Sequence, residues 1–257
     1  MQSSFRRLTD AQWEFIKHFL NWQRKRELSL RDVFDGILYV TRTGIQWRNL
    51  NETKFPDWQA VYYYFRQWKN KGIILKINLA LNELERLKKE RNPRPSLVFV
   101  DSQSIKAAPF VGNRGIDGNK KINGKKRHIL VDVLGRIYST HVHPANNHDS
   151  PQGVNLLKQE EEWMKDIATI MGDKTYRGTF AKAVEALDIK FEIPDRPENT
   201  KGFVVEAKRW VVERTFAWFN FFRRLSVDHE KTIKSSETFI LLANISISIS
   251  ILNIKTE

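Results

Sequence analysis

The sequence contains no cysteine. That absence excludes disulfides, thiolate metal sites and a cysteine nucleophile, and it fits a reducing compartment, so the cytosol is the expected location. Long apolar runs are also missing. The longest, TFILLANISISISILNI at residues 238–254, carries Asn244, Ser246, Ser248, Ser250 and Asn253, and it falls short of the ~20 apolar residues of a membrane span. A buried C-terminal element is expected there. Its Ile–Ser alternation from 245 to 251 is strand-like, whereas its length and Leu-Leu-Ala start read as helix, so its type stays open. The opening MQSSFRRLTDAQWEF has no apolar stretch of the signal-peptide kind, so the N-terminus is expected to belong to the folded chain. Acidic residues are in deficit, 30 against 43 Lys and Arg. The resulting formal charge of +13 favours a polyanionic partner, nucleic acid before a membrane surface. Apolar residues are plentiful: 41% of the 257 residues are hydrophobic, enough for one large core or two smaller ones.

From residue 1 to about 92 the periodicity is helical. Thr9-Asp10-Ala11-Gln12 has the form of a capping box ahead of Trp13, Phe15, Ile16 and Phe19, and predicts a helix ending near Trp22. Ser29 with Asp32 opens a second helix that stops at Gly44. A third is predicted from Asp57 to Lys71, closed by Gly72, and a fourth from Ile73 to Arg91 with Ile77, Leu81, Leu84 and Leu87 on one face. Asn92-Pro93-Arg94-Pro95 then breaks the chain, which places a domain boundary there: residues 1–92 helical, residues 93–257 a second domain.

Beyond the boundary short apolar runs alternate with turns. LVFV at 97–100 reads as a strand buried on both faces, with Asp101 at its exit. RHILVDVLGRIYSTHVH reads as a hairpin turning at Leu134-Gly135. SPQGVNLLKQEEEWMKD is expected to be a helix, IATIM a strand with Asp173 just beyond it, KFEIPDRP another short strand, and residues 203–224 one long helix. Strands and helices in this order predict a mixed sheet covered by helices, an α/β fold with ligands at strand ends.

Taken singly, each acidic residue here has a plain reading: Asp101 as a turn cap, Glu213 as half of an i, i+4 pair with Arg209. Together they form a pattern. Two aspartates follow apolar strands, and a glutamate lies on the long helix opposite Val204, Val211, Thr215, Trp218, Phe219 and Phe222, on a face with Glu206, Arg209, Asn220 and Arg224. Hard divalent cations such as Mg²⁺ take carboxylate and water oxygens, and two such ions can drive in-line phosphoryl transfer.

FVDSQSIK, GNKKINGKKRHILVDVLGRIYSTHVHPANNHDS, IMGDKTYRG and RWVVERTFAWFNFFRRL, in this order, resemble the Asp-Asp-Glu transposases of bacterial insertion sequences, closest to the insertion-sequence-five type. The resemblance spans nearly the whole chain. It implies a ribonuclease H-like catalytic domain, a triad at Asp101, Asp173 and Glu213, two Mg²⁺ (or Mn²⁺) ions, and DNA cleavage followed by strand transfer. It also implies an N-terminal domain that reads the terminal inverted repeats of double-stranded DNA, action in the cytoplasm on nucleoid DNA, and a homodimer or higher oligomer that synapses two ends. An inactive, DNA-binding derivative of a transposase is the alternative. Around the glutamate the family often shows Tyr, two residues, Arg, three residues, Glu, six residues, Lys. Here Arg209 and Glu213 match, but Glu206 and Asn220 stand at the Tyr and Lys positions, with Arg223 and Arg224 expected to replace the missing cation.

Lys120, Lys121, Lys125, Lys126 and Arg127 read as a loop between the first two strands, expected to contact phosphates. The third helix mixes aromatic and basic residues as a groove-entering helix would, and its aromatics are expected to be mostly core, leaving Arg66, Lys69 and Lys71 as phosphate contacts. His141, His143, His148 and Asp149 have irregular spacing and are not read as a metal site. Asp132, inside a strand, is expected on an outward face and outside the triad.

Overall fold

The computed structural model describes residues 5–21, 23, 27–157, 162–194 and 210–251. Its first half is helical: α1 (Asp10–Lys17), α2 (Leu30–Thr43), a 3₁₀ turn (Trp47–Glu52), α3 (Trp58–Asn70) and α4 (Ile73–Lys88). Local chemistry sets these ends. Thr9 accepts from the Gln12 backbone N–H while Gln12 returns a bond to the Thr9 N–H, which completes the capping box; such caps are worth about 1 kcal/mol. Ser29 and Asp57 cap α2 and α3 by accepting the Asp32 and Gln59 backbone N–H groups, and Gly44 closes α2 in the left-handed region at φ 70. α1 stops at Lys17, one turn earlier than its apolar pattern predicts.

The second half is built on a six-stranded mixed sheet: β1 (Leu97–Lys106), β2 (Gly115–Asp117), β3 (Ile122–Asp132), β4 (Ile137–Pro144), β5 (Thr169–Met171) and β6 (Lys190–Glu192). β1, β3 and β4 are antiparallel neighbours, whereas β5 and β6 extend the other side of β1 in parallel. This order, with helices on both faces, is a ribonuclease H-like arrangement. The stretch after Pro144 is broken: α5 (Asp149–Gly153) and 3₁₀ turns at Val154–Leu157 and Glu162–Asp166 replace one predicted helix. Then come α6 (Thr179–Glu185), α7 (Trp210–Phe219) and α8 (Ile233–Ile251).

The open question about the C-terminal run is resolved as helix. Ser246 and Thr238 donate to carbonyls four residues back, at 2.9 and 2.6 Å, so these hydroxyls need no water. Asn244 donates to Asn78 and Asn82 of α4, which in turn donate to the Ile137 carbonyl at 2.7 and 2.8 Å. This buried amide cluster ties α4, α8 and β4 together.

Two apolar layers sandwich the sheet. One joins α1–α4, α7 and α8 to Phe99, Ile129, Val131, Ile137 and Val142; the other joins Val98, Val100, Leu130 and Ile170 to Tyr176, Phe180 and Val184. The first layer runs across residue 92, so the helical part and the sheet share a core. Asp132 departs from its expected outward face. It is fully buried at the end of β3, ion-paired with Arg86 at 2.6 Å and accepting the Leu134 and Arg136 backbone N–H groups. The tight turn to β4 needs those acceptors.

Asp35 on α2 is also buried and accepts the Leu8 N–H at 2.9 Å. Burial lifts its carboxyl to about 6, against the opposing pull of the Leu8 bond and of Arg7 and Arg31. Because the folded value exceeds the unfolded one, the folded state holds this proton more tightly. Its contribution is therefore complete below pH ~4 and is lost as pH rises to ~6, on the order of 2 kcal/mol. Urea unfolding of the Asp35→Asn protein should show a flatter stability profile across that window than the parent.

Candidate active site and nucleic-acid interface

Asp101 lies within β1, five residues short of its end, and not at a strand exit. The strand continues because β3 pairs with it from Val98 to Lys106. On its other side β5 pairs only from Leu97 to Phe99 and then stops. Asp101 therefore has Ile129 as one neighbour and the end of β5 on the other side. Gly172 follows β5 where a side chain has no room, since a Cβ there would meet the Val100 side chain at 2.6 Å. Asp173 follows with an extended backbone (φ −85, ψ −179) and caps the 3₁₀ turn Lys174–Tyr176. Its Oδ1 accepts the Thr175 N–H at 2.9 Å and also the Thr175 hydroxyl.

Strand alternation assigns faces. Phe99 belongs to the helical-side layer, Val98 and Val100 to the other; Asp101, two residues after Phe99, shares its face. Met171 sits beside Phe99 in parallel register, and Asp173 is again two residues on. The two aspartates thus occupy matching positions past the last paired row. The Asp101 Oδ1 is fixed by the Ser102 N–H at 2.6 Å.

α7 packs on β1 from the same side, burying Val211, Val212, Thr215, Phe216 and Phe219 and leaving Glu213 exposed. Its orientation is pinned by Arg214, which donates to the Leu134 carbonyl at 3.0 Å, and by the Thr215 hydroxyl on the Gly135 carbonyl at 3.0 Å. The helix ends at Phe219, not 224: Phe222 is extended and Arg223–Leu225 form a 3₁₀ turn. Asn220 and Arg224 are accordingly off the helical face that carries Glu213. Val204, Glu206 and Arg209 lie outside the described residues.

On the opposite sheet face, His128 Nε2 is 2.7 Å from His143 Nε2, and His128 Nδ1 is 2.6 Å from the Tyr176 hydroxyl. Asp149 lies 3.5 Å from His128 and pairs with Lys126 at 2.9 Å. Burial, then the neighbouring imidazoles and Lys126, holds His128 well below the ordinary histidine range; burial also brings His143 down to about 4. Burial first, and then the charges of Asp101, Asp149 and Asp173, drives Tyr176 far above its usual value. His128, His143 and Asp149 could together offer ligand atoms to an ion. The contact between the two imidazoles is nevertheless a hydrogen bond: nitrogens sharing one tetrahedral zinc stand about 3.3 Å apart. The Lys126 ammonium moreover already neutralises Asp149. His141 bonds Gln152 at 3.1 Å, and His148 is exposed. Sequence spacing misses this cluster because His128 and Tyr176 come from segments 48 residues apart.

The basic residues separate into two groups. Lys125, Lys126 and Arg127 are not in a loop: they lie in β3, and all three are buried. Lys125 binds Asp228, the Glu230 carbonyl and Ser236; Arg127 binds Gln103 and the Leu225 carbonyl and lies over the Phe219 ring at 4.7 Å. They are not the loop of phosphate contacts expected from the sequence: β3 extends through them and turns them inside, where Lys125 and Lys126 are ion-paired with Asp228 and Asp149. Arg224 likewise turns inward to Glu230, at 2.6 Å. Lys69 is half-buried, donating to Ser235 at 3.0 Å. Arg66, Lys71, Lys120, Lys121 and Arg223 are exposed. Of the α3 residues, Val61, Phe65 and Trp68 are core, while Tyr62 and Tyr63 face solvent.

A family model for the DDE domain of transposases matches residues 92–248, more than half of the chain, and a model for transposases of the IS4/5 family matches residues 8–78. The chain belongs to the DDE transposases. It is an enzyme of DNA cleavage and strand transfer, in a family that uses divalent metal ions and acts on DNA. No curated protein matches the sequence significantly. Among solved structures, the catalytic core domain of BIV integrase is 15% identical, covering 63% of this chain and 86% of that one at a TM-score of 0.33. The Mos1 mariner paired end complex with Mn is 10% identical, covering 92% and 83% at 0.30. At such TM-scores these likenesses add nothing to the family assignment. No described helix is long and apolar enough to cross a membrane.

Proposed function

We propose that Asp101, Asp173 and Glu213 form the metal-binding triad of an insertion-sequence transposase, holding two Mg²⁺ or Mn²⁺ ions. The donors fit hard cations: all are carboxylates, two half-buried at the sheet edge and one exposed on the facing helix. Ions bound there would activate a water or a DNA 3′-hydroxyl as nucleophile and stabilise the leaving oxygen. Asp101 is held by β1, Asp173 by its own capping bonds, and Glu213 by an α7 pinned to the β3–β4 turn, so the chain presents preset donors to a phosphodiester. The observation that carries this reading is the early end of β5. It leaves Asp101 open on the β5 side, on the face against which α7 packs, with Asp173 two residues past Met171.

Exposed Arg66, Lys71, Lys120, Lys121 and Arg223 would contact phosphates, with residues 1–92 recognising the inverted repeats and residues 93–257 cutting. A dimer or higher oligomer joining two ends, in the cytoplasm on nucleoid DNA, completes the reading. The test uses duplexes made from the DNA flanking the coding region. Parent and Asp173→Ala proteins should both shift the terminal-repeat duplex, and only the parent should cut it and join it to a target. Binding by both with cutting by neither would instead identify an inactive DNA-binding derivative.

A further inference from the structure

A single carbonyl fixes the direction of the hydrogen-bond chain beneath the sheet. His143 Nδ1 is 2.8 Å from the Pro144 carbonyl oxygen, which can only accept, so Nδ1 carries the proton. In the neutral ring Nε2 is then the acceptor, and the 2.7 Å contact requires His128 Nε2 to donate. His128 Nδ1 is left as an acceptor, and the Tyr176 hydroxyl donates to it across 2.6 Å. The Ser102 side chain lies on the same sheet face, opposite His128 in the β1–β3 ladder and close enough to act on the Tyr176 hydroxyl. Each ring therefore has one tautomer and the Tyr176 hydroxyl one orientation.

The chain ends on both aspartates. Ser102 supplies the N–H that holds the Asp101 carboxylate at 2.6 Å, and it lies directly across β3 from His128. Tyr176 closes the turn capped by Asp173. The same turn is stitched to α5, where the Ser150 hydroxyl donates to the Arg177 carbonyl at 2.7 Å and accepts the Phe180 N–H at 3.0 Å. Asp149, the first residue of α5, is held by Lys126 of β3. His128, His143, Tyr176 and Ser150 are buried, Ser102 and Asp149 half-buried, and His128 and Tyr176 lie on the sheet face opposite Asp101.

We infer that Tyr176 and His128 are positioning residues: through Ser102 and the Asp173 turn they set the spacing of Asp101 and Asp173 for divalent metal. This rests on the triad proposed above. Tyr176 is the junction because its ring packs in the apolar layer with Phe180, its hydroxyl bonds His128 opposite Ser102, and its backbone belongs to the turn that Asp173 caps. Groups that orient metal ligands typically change metal affinity or activity by about 10–100-fold when removed.

The experiment measures Mn²⁺ binding to the full-length protein by electron paramagnetic resonance, alongside the Mn²⁺ concentration that half-saturates cleavage. Tyr176→Phe keeps the ring and loses only the hydroxyl. It should weaken Mn²⁺ binding about tenfold and raise the half-saturating concentration by the same factor, with cleavage recovering at high Mn²⁺ and binding of terminal-repeat duplex unchanged. Ser102→Ala should move both values in the same direction, and it serves as the measurement if Tyr176→Phe does not fold. Asp173→Ala separates the two levels of the reading: unchanged Mn²⁺ binding there removes the triad itself. Loss in Asp173→Ala with parental values in Tyr176→Phe and Ser102→Ala removes only the positioning role. Stoichiometric zinc in the purified protein, released by His143→Ala, would show the imidazoles to be ligands and also overturn the inference.

Discussion

With cysteine in place of Asp101, Mg²⁺-supported cleavage of a terminal-repeat duplex is expected to fall about a thousandfold, roughly 4 kcal/mol of transition-state stabilisation. Part of that loss should return when Mn²⁺ or Cd²⁺ replaces Mg²⁺, because a thiolate is a soft ligand that Mg²⁺ shuns. The sequence suits the measurement, since the introduced thiol would be its only one. A residue that merely ended a strand or capped a turn would show no change of metal preference. Equal loss in all three metals, with duplex binding intact, would place Asp101 outside the coordination shell. The position itself should tolerate the change: Asp101 is only half-buried, and its backbone is held by β3 whatever the side chain.

The second large effect concerns stability. Glu85 of α4 takes a bidentate pair with Arg136 in the β3–β4 turn, both side chains almost wholly buried, beside the Arg86–Asp132 pair. Arg136 also lies over the Trp218 ring at 5.1 Å, so this knot connects α4, the hairpin turn and α7. Glu85→Ala would leave a buried guanidinium without its counter-charge, costing about 3–5 kcal/mol. For a chain of this size that lowers the melting temperature by roughly 10 °C. Replacing both partners, Glu85→Leu with Arg136→Met, should restore much of the loss, because an apolar pair avoids the desolvation cost. Thermal unfolding of the two single variants and the double variant decides it: simple additivity would mean that the two side chains do not act as a pair. Since the knot orients α7, the single variants should also cleave DNA more slowly than their residual fold alone explains.

Much of the architecture was legible locally. Thr9, Ser29 and Asp57 announce helix starts because a side-chain oxygen near an unsatisfied N–H needs only neighbours two or three residues away. Gly44 and the Leu134-Gly135 turn are legible for the same reason, as is the apolar run before Asp101. Asp101 and Asp173 stood out as carboxylates following apolar strands, and Glu213 as an acid on the polar face of a later helix.

Other features depended on strand length and pairing, which no local pattern fixes. β1 and β3 run further than their apolar residues suggest, so Asp101 became a mid-strand residue and Lys125, Lys126 and Arg127 were drawn inside, where Asp228, Asp149 and Gln103 meet them in turn. Lysine and arginine read as exposed until their partners, about a hundred residues away for Lys125, are known. The early stop at Phe219 that separates Arg224 from the Glu213 face was equally invisible, since the apolar pattern continues through Phe222.

By itself the sequence determined the caps and breaks, the alternation of strands and helices, the basic charge and the acidic residues able to meet a cation. All of these follow from interactions within a few residues or from summed charge. Only the tertiary structure decided that β5 ends where Asp101 opens to its side, that β3 swallows its basic run, and that Tyr176, His128 and His143 join beneath the aspartates. Those facts arise from contacts between distant segments, where burial turns an ordinary polar side chain into one that must find a partner.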